Sequence, residues 1–114
     1  MAVIDFVQLN ENFQYYDREI ITEVIDIFLD EYDDRISNLE KNIAEKDFKA
    51  LAFNAHSLKS VIANYMAPKA LELSGRLEEK GLNHSEEGLI ELFAELKDTT
   101  KEMLQELKDY LQKP

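Results

Sequence analysis

The sequence predicts an all-α fold, an antiparallel up-down four-helix bundle with an additional N-terminal helical segment, and three observations predict it. Only 3 Gly and 2 Pro interrupt 114 residues, while Leu, Glu, Lys, Ala and Ile dominate, a profile of helix formers rather than strand formers. Apolar residues recur three and four apart over long windows, the period of a one-sided helix. The breaks between those windows are short, and short connections make successive helices antiparallel neighbours. An apolar content of 45% suffices for one modest core, so residues 1–114 are read as a single domain.

The first segment, "VIDFVQL", is short and apolar, and the polar "NENFQYY" separates it from the next periodic run. Asp17 is placed to cap "REIITEVIDIFLDEY", in which Ile20, Val24, Ile27 and Phe28 form a stripe that Ile21, Ile25 and Leu29 widen; such a helix is expected to be buried on more than one side. The acidic run Asp30 to Asp34 is read as a kink or joint before "DDRISNLEKNIAEKD", one long helix being the alternative because no Gly or Pro stands there. Asp47 caps a helix expected from about Phe48 to Tyr65. Pro68 fits the first turn of the next helix and Gly81 its C-terminal cap. Ser85 is expected to cap the last and longest uninterrupted helix, with Glu86 and Glu87 in its first turn. Its core stripe is Leu89, Leu92, Leu96, Met103 and Leu107, with Thr99 or Thr100 filling the gap.

Charge and composition narrow the function. The chain carries 24 acidic and 13 basic residues, a formal net charge of -11, which repels nucleic acid and anionic membrane surfaces. Without cysteine there is no disulfide, thiolate metal site or cysteine nucleophile. No basic leader or long apolar run is present, so a soluble, cytoplasmic chain is expected. The negative charge excess is what a solvated bundle ordinarily carries, and a monomer is expected.

One residue stands apart. In "NAHSLKSVIANY" the residues Leu51, Ala55, Leu58, Ile62 and Tyr65 share one face at about 100° per residue. His56 falls on the opposite side with Ala52, Lys59, Ser60 and Ala63. An exposed histidine usually has no role, but here its neighbours are too short to shield it from an approaching protein surface, Phe53 adds an apolar contact at the margin, and Lys59 stands one turn on. That is the layout phosphoryl transfer between two folded domains requires. A metal centre is disfavoured, because bundle sites use Glu-x-x-His pairs and the residues three before His56 and His84 are Phe53 and Gly81. No hydrolase triad can be assembled from the spacing. His84 reads as a solvated loop residue.

The stretch "AHSLKSVIANYMAPKALELSGRLEE" resembles the signature of histidine-containing phosphotransfer (HPt) domains, the relay modules of multistep two-component signalling. The matching residues are His56, Ser57, Leu58, Lys59, Ser60, Ala63, Asn64, Tyr65, Ala67, Leu73, Leu77 and Glu78. Two positions depart from the pattern: Met66 stands where many members have Gly, and Ala70 where many have Leu. If Met66 takes the left-handed conformation its cost is about 1 kcal/mol. The resemblance implies that His56 accepts a phosphoryl group, through Nε2, from a receiver-domain aspartate and passes it to another. An unperturbed imidazole, with a pKa of about 6.5, is mostly neutral and nucleophilic at cellular pH. Lys59, with the Ser60 hydroxyl as a second donor, is expected to stabilise the phosphoryl oxygens. Ala52, Phe53, Ser60, Ala63 and Asn64 are the expected partner-binding residues. Response-regulator receivers, and a hybrid sensor histidine kinase, are the implied partners; no cofactor or metal is expected on this chain, Mg2+ belonging to the receiver, and no autokinase activity. The rival reading is a helical adaptor that binds a signalling partner without being phosphorylated.

Overall fold

Residues 2–113 are described in a computed structural model, so the two outermost positions of the expected 1–114 domain lie outside it. The described residues form five α-helices and no strand: α1 Phe6–Phe13, α2 Arg18–Ala44, α3 Phe48–Ile62, α4 Pro68–Leu82 and α5 Leu89–Gln112. A 3-10 turn, Ala63–Tyr65, extends α3, so the helix expected to reach Tyr65 does so with its last turn tightened. α2 packs on α3 and α5, and α4 packs on the same two helices. The pairing runs in opposite directions wherever side chains cross: Arg35 meets Ser57 and Asn42 meets Asn54 between α2 and α3, while Arg18 reaches the end of α5 and Lys97 pairs with Glu40.

The core follows the expected stripes. Leu51, Ala55, Leu58, Ile62 and Tyr65 of the α3 segment are buried, and so are Leu89, Leu92, Leu96, Met103 and Leu107 of α5. Both threonines in the α5 gap are buried. Thr100 is tolerated there because its hydroxyl donates to the Leu96 carbonyl (2.8 Å) and meets the Tyr32 hydroxyl (2.6 Å), leaving no unpaired polar atom between them. Burial raises the Tyr32 phenol above its ordinary pKa and pushes that of Tyr65 up to about 12. The N-terminal segment closes one end of the bundle. Glu106 accepts the backbone N–H groups of Val3 and Ile4, both at 2.8 Å, and the Asp5 N–H donates to the Met66 carbonyl.

Four expectations need correction. α2 is a single helix of 27 residues through the acidic run, and it, not the 24-residue α5, is the longest. Ile20, Val24 and Ile27 are exposed: α3 and α5 pack on the flank that carries Ile21, Ile25, Phe28, Tyr32, Ile36 and Leu39, and that flank alone is buried. Gly81 does not cap α4 but lies inside it, where a Cβ would stand 2.6 Å from the backbone nitrogen of Ala52. Its small size permits the close approach of two helices. The left-handed residue that ends α4 is His84 (φ 51°), with Ser85 N–H donating to Lys80 O and His84 N–H to Gly81 O, the paired bonds of a Schellman ending. Finally, α5 starts at Leu89 behind Gly88 (φ 66°), so Ser85, Glu86 and Glu87 belong to the preceding turn.

Candidate functional site

α3 exists where it does because Asp47 accepts the Ala50 N–H at its start (3.1 Å), and its core stripe sets its rotation. That rotation leaves the His56 side chain 60% exposed near the middle of the helix, on the side expected from the spacing. Opposite it on α4 stands Glu78. One carboxylate oxygen lies 2.8 Å from His56 Nδ1, and the other accepts from Lys59 Nζ at 2.6 Å.

This carboxylate decides the chemistry of the ring. The Lys59 hydrogen bond is the largest influence holding the Glu78 carboxyl below the usual carboxylate range, with the His56 contact acting in the same direction against desolvation. An ionised carboxylate can only accept, so Nδ1 must carry the proton. In the neutral ring the lone pair therefore resides on Nε2, the nitrogen farther from the backbone, which is the nucleophilic tautomer the resemblance implied. Lys59, one turn from His56, is partly exposed and tied to the same carboxylate, so its ammonium is held within the site.

The other expected residues separate into two groups. Phe53 (74% exposed), Ser60, Ala63 and Asn64 lie on the surface beside His56. Ala52 does not: it is buried, because Gly81 brings the α4 backbone down onto it. Ala52 sets the α3–α4 spacing rather than a partner surface. The Ser60 hydroxyl donates to the His56 carbonyl one turn back (3.0 Å), the ordinary back-bond of a serine within a helix. His84 is more than a solvated loop residue, its ring stacking on Phe48 with centroids 5.2 Å apart.

In the sequence Glu78 stands out only as part of a pattern, yet its role is recoverable from register. His56 and Glu78 stand equally far from Ala67, so an antiparallel α3–α4 hairpin brings them opposite each other. The same register pairs Lys59 with Gly75, where a Cβ would rest 3.6 Å from the lysine chain. On the other flank of α3, Arg35 Nη1 donates to the Ser57 hydroxyl (2.9 Å), a contact no helical spacing signals. Among the described residues no group of three or more His, Asp or Glu side chains is arranged to hold a metal ion. No helix among them is long and apolar enough to cross a membrane.

The exposed apolar residues of α2 adjoin this surface. Asn64, at the end of the His56 face, lines one hollow of about 430 Å³ with Phe13, Tyr15, Tyr16, Ile20 and Val24. The His56 side of α3 thus runs, through Asn64, into an apolar strip on α2.

No curated protein and no solved structure matches the chain. The family model of the Hpt domain matches residues 23–110, a span that begins in α2, includes His56, Lys59 and Glu78, and ends in the last turns of α5. Hpt domains carry out histidine phosphotransfer in two-component signalling and interact with its receiver and kinase domains. An exposed, tautomer-fixed histidine on a helical bundle and a family match over most of the chain lead to one conclusion: this chain belongs to the Hpt domain family.

Proposed function

We propose that this domain is a phosphorelay intermediate in which His56 accepts a phosphoryl group from the aspartyl phosphate of one receiver domain and passes it to the aspartate of another. The observation that carries the reading is the shared carboxylate: Glu78 holds Nδ1 of an exposed imidazole and the Lys59 ammonium at once. Nε2 attacks; Lys59 can leave Glu78 to stabilise phosphoryl oxygens as charge develops there, positioning and electrostatics being most of what such transfer needs. Lys59 is the cation of the site.

Phe53, Ala63 and Asn64, with the carbon surface of Ser60, form the floor on which the receiver rests, and Ile20 and Val24, which share a hollow with Asn64, extend that floor onto α2. Burying such apolar surface stabilises a complex by about 25 cal/mol per Å² before the costs of association. Mg2+ belongs to the receiver in this reading, and this chain contributes the nucleophile and the cation. The domain acts as a monomer in the cytoplasm, where receivers are encountered, and a hybrid sensor kinase is one source of the donor receiver.

The test is phosphotransfer profiling. The protein is incubated with a panel of phosphorylated receivers and assayed for phosphate that is acid-labile and base-stable. Label is expected on the wild type with its partner receivers and absent from His56→Gln; a wild type that takes no label from any receiver of its own cell, while still binding one, would leave the adaptor reading instead.

A further inference from the structure

The negative charge of this chain is not spread evenly. No Lys or Arg stands between Arg18 and Arg35, and over that stretch α2 presents Glu19, Glu23, Asp26 and Asp30 at exposed positions. Both flanking arginines are occupied, Arg18 by the last carbonyls of α5 and Arg35 by Ser57 and Glu31. Among the described residues none of those four carboxylates forms an ion pair. Other helices are mixed: α4 interleaves Lys69, Arg76 and Lys80 with its acids, and α5 does the same with Lys97, Lys101 and Lys108. At about 100° per residue Glu19, Glu23 and Asp30 fall together, about a quarter turn beyond Ile20, Val24 and Ile27. They lie on the side away from Arg35 and Asn42, the residues that touch α3. Ile27 shares one shallow depression with all four acids, and Ile20 and Val24 share another with Asn64. From the His56 face outward across α2, the surface therefore passes from small polar residues to apolar ones and then to carboxylates alone. Starting from the reading of His56 as the phosphoryl acceptor, we propose that this one-sided acidic border selects and orients the receiver. The partner carries apolar side chains where it meets Ile20 and Val24, and Lys or Arg side chains where it overhangs Glu19, Glu23 and Asp30.

A second copy of this chain is a poor occupant of the strip, because each copy brings carboxylates to its edge and no Lys or Arg, and like charges in close juxtaposition oppose association. A receiver with a basic border meets the opposite situation. The field of the acidic row extends about 8 Å at physiological ionic strength, so it is felt before contact and raises the rate of encounter. The asymmetry also sets direction. The apolar floor accepts a receiver turned end for end about the line from His56 to the reacting aspartate, but only one of the two turns puts cations over α2. On the opposite flank α4 offers both signs and does not discriminate. In-line transfer to Nε2 requires one geometry of approach, so a border that fixes that approach decides which receivers transfer. Acting at the rim, it governs arrival and choice of partner rather than the chemical step.

The test uses the whole chain and the receiver that labels it fastest, or binds it most tightly, in profiling. Affinity for the unphosphorylated receiver, and transfer as a function of receiver concentration, are measured at about 50 mM and about 300 mM salt. The triple variant Glu19→Gln, Glu23→Gln, Asp30→Asn removes the border with little change of shape. A second triple, Glu91→Gln, Asp98→Asn, Glu102→Gln, removes the same charge from α5, across the bundle from α3. The α2 variant is expected to bind about tenfold more weakly at low salt, the loss falling on association rate and half-saturating receiver concentration, with a flatter salt dependence than the wild type. The α5 variant is expected to match the wild type. Glu19 stands in the first turn of α2, so thermal unfolding is recorded for each protein. If the α2 triple does not fold, Asp30→Lys is compared with Asp30→Asn: the reversal is expected to weaken binding more, and to be rescued when one Lys or Arg of the receiver is changed to Glu. Equal losses in the α2 and α5 variants, or a wild-type affinity indifferent to salt, overturn the inference. Label transfer with salt-indifferent affinity refutes the border and leaves the acceptor reading standing, whereas salt-dependent binding that the α2 variant loses, without any label, refutes the acceptor reading and leaves the border.

Discussion

The two histidines of this chain stand against the same pair of helices, yet their surroundings differ in every respect that matters. His56 lies in the middle of α3 with a carboxylate on Nδ1 and an ammonium on the far side of that carboxylate. His84 ends α4 in the left-handed conformation, and its ring lies flat on Phe48. One is presented by a regular helix whose rotation the core dictates; the other terminates a helix. A histidine acquires chemistry from what faces its nitrogens, and only His56 has a partner that fixes which nitrogen is free.

The same contrast runs along the α3–α4 seam. Near His84 the helices touch through Gly81 and Ala52 with no room for a methyl group. Near His56 they are held apart by side chains, Lys59 lying beside Gly75 and Glu78 reaching across. Close packing at one end holds the register, and that register lets Glu78 meet His56 at the other.

Four experiments break or sharpen the comparison. The largest effect is on activity: His56→Gln should abolish phosphoryl acceptance, whereas His84→Gln should leave it unchanged, as read by label transfer from a phosphorylated receiver. Next comes packing. Gly81→Ala should destabilise the fold by about 1–3 kcal/mol in chemical denaturation, because the clash is with backbone. Gly75→Ala meets only ordinary contact with a flexible side chain and should be neutral or stabilising by up to about 1 kcal/mol.

Met66 offers a smaller effect. It adopts the left-handed conformation (φ 53°, ψ 52°) at the α3–α4 turn, so Met66→Gly should stabilise the protein by about 1 kcal/mol at the denaturation midpoint, less whatever its partly buried side chain contributes. The smallest effect is the pH dependence of stability. The Glu78 carboxyl is held below its ordinary value of 4.5, so its contribution is complete above that pH and lost as pH falls through the lower native value. The stability gap between wild type and Glu78→Gln, followed by denaturation as the solution is acidified, should therefore be constant near neutrality and narrow below about pH 4.5. A gap that widens on acidification would contradict the direction assigned to Glu78.

Much of the fold was legible because helical periodicity is a local property. The α5 stripe, its threonine gap, the Asp47 cap and the face opposite His56 all follow from the spacing of residues along one helix, and all are found where that spacing puts them. The errors share one cause. Ile20, Val24 and Ile27 have the periodicity of a buried face, but burial needs a second element packed closely on that face, and all three stay exposed. Ala52 has the phase of an exposed residue, but α4 approaches far enough round α3 to bury it. Gly81 looked like a helix cap because a glycine near a helix end usually is one; its requirement came from another helix.

By itself the sequence determined that this protein is a helical bundle, which residues of α3 face its core, and that His56 with Lys59 occupies the opposite side, since each of these depends only on period and composition. The tertiary structure alone decided which nitrogen of His56 is free, that Ala52 is buried under α4, and that an apolar strip of α2 adjoins the site. Those properties depend on distances between atoms far apart in sequence, set by how closely α4 can approach α3 and by which flank of α2 is left without a neighbour.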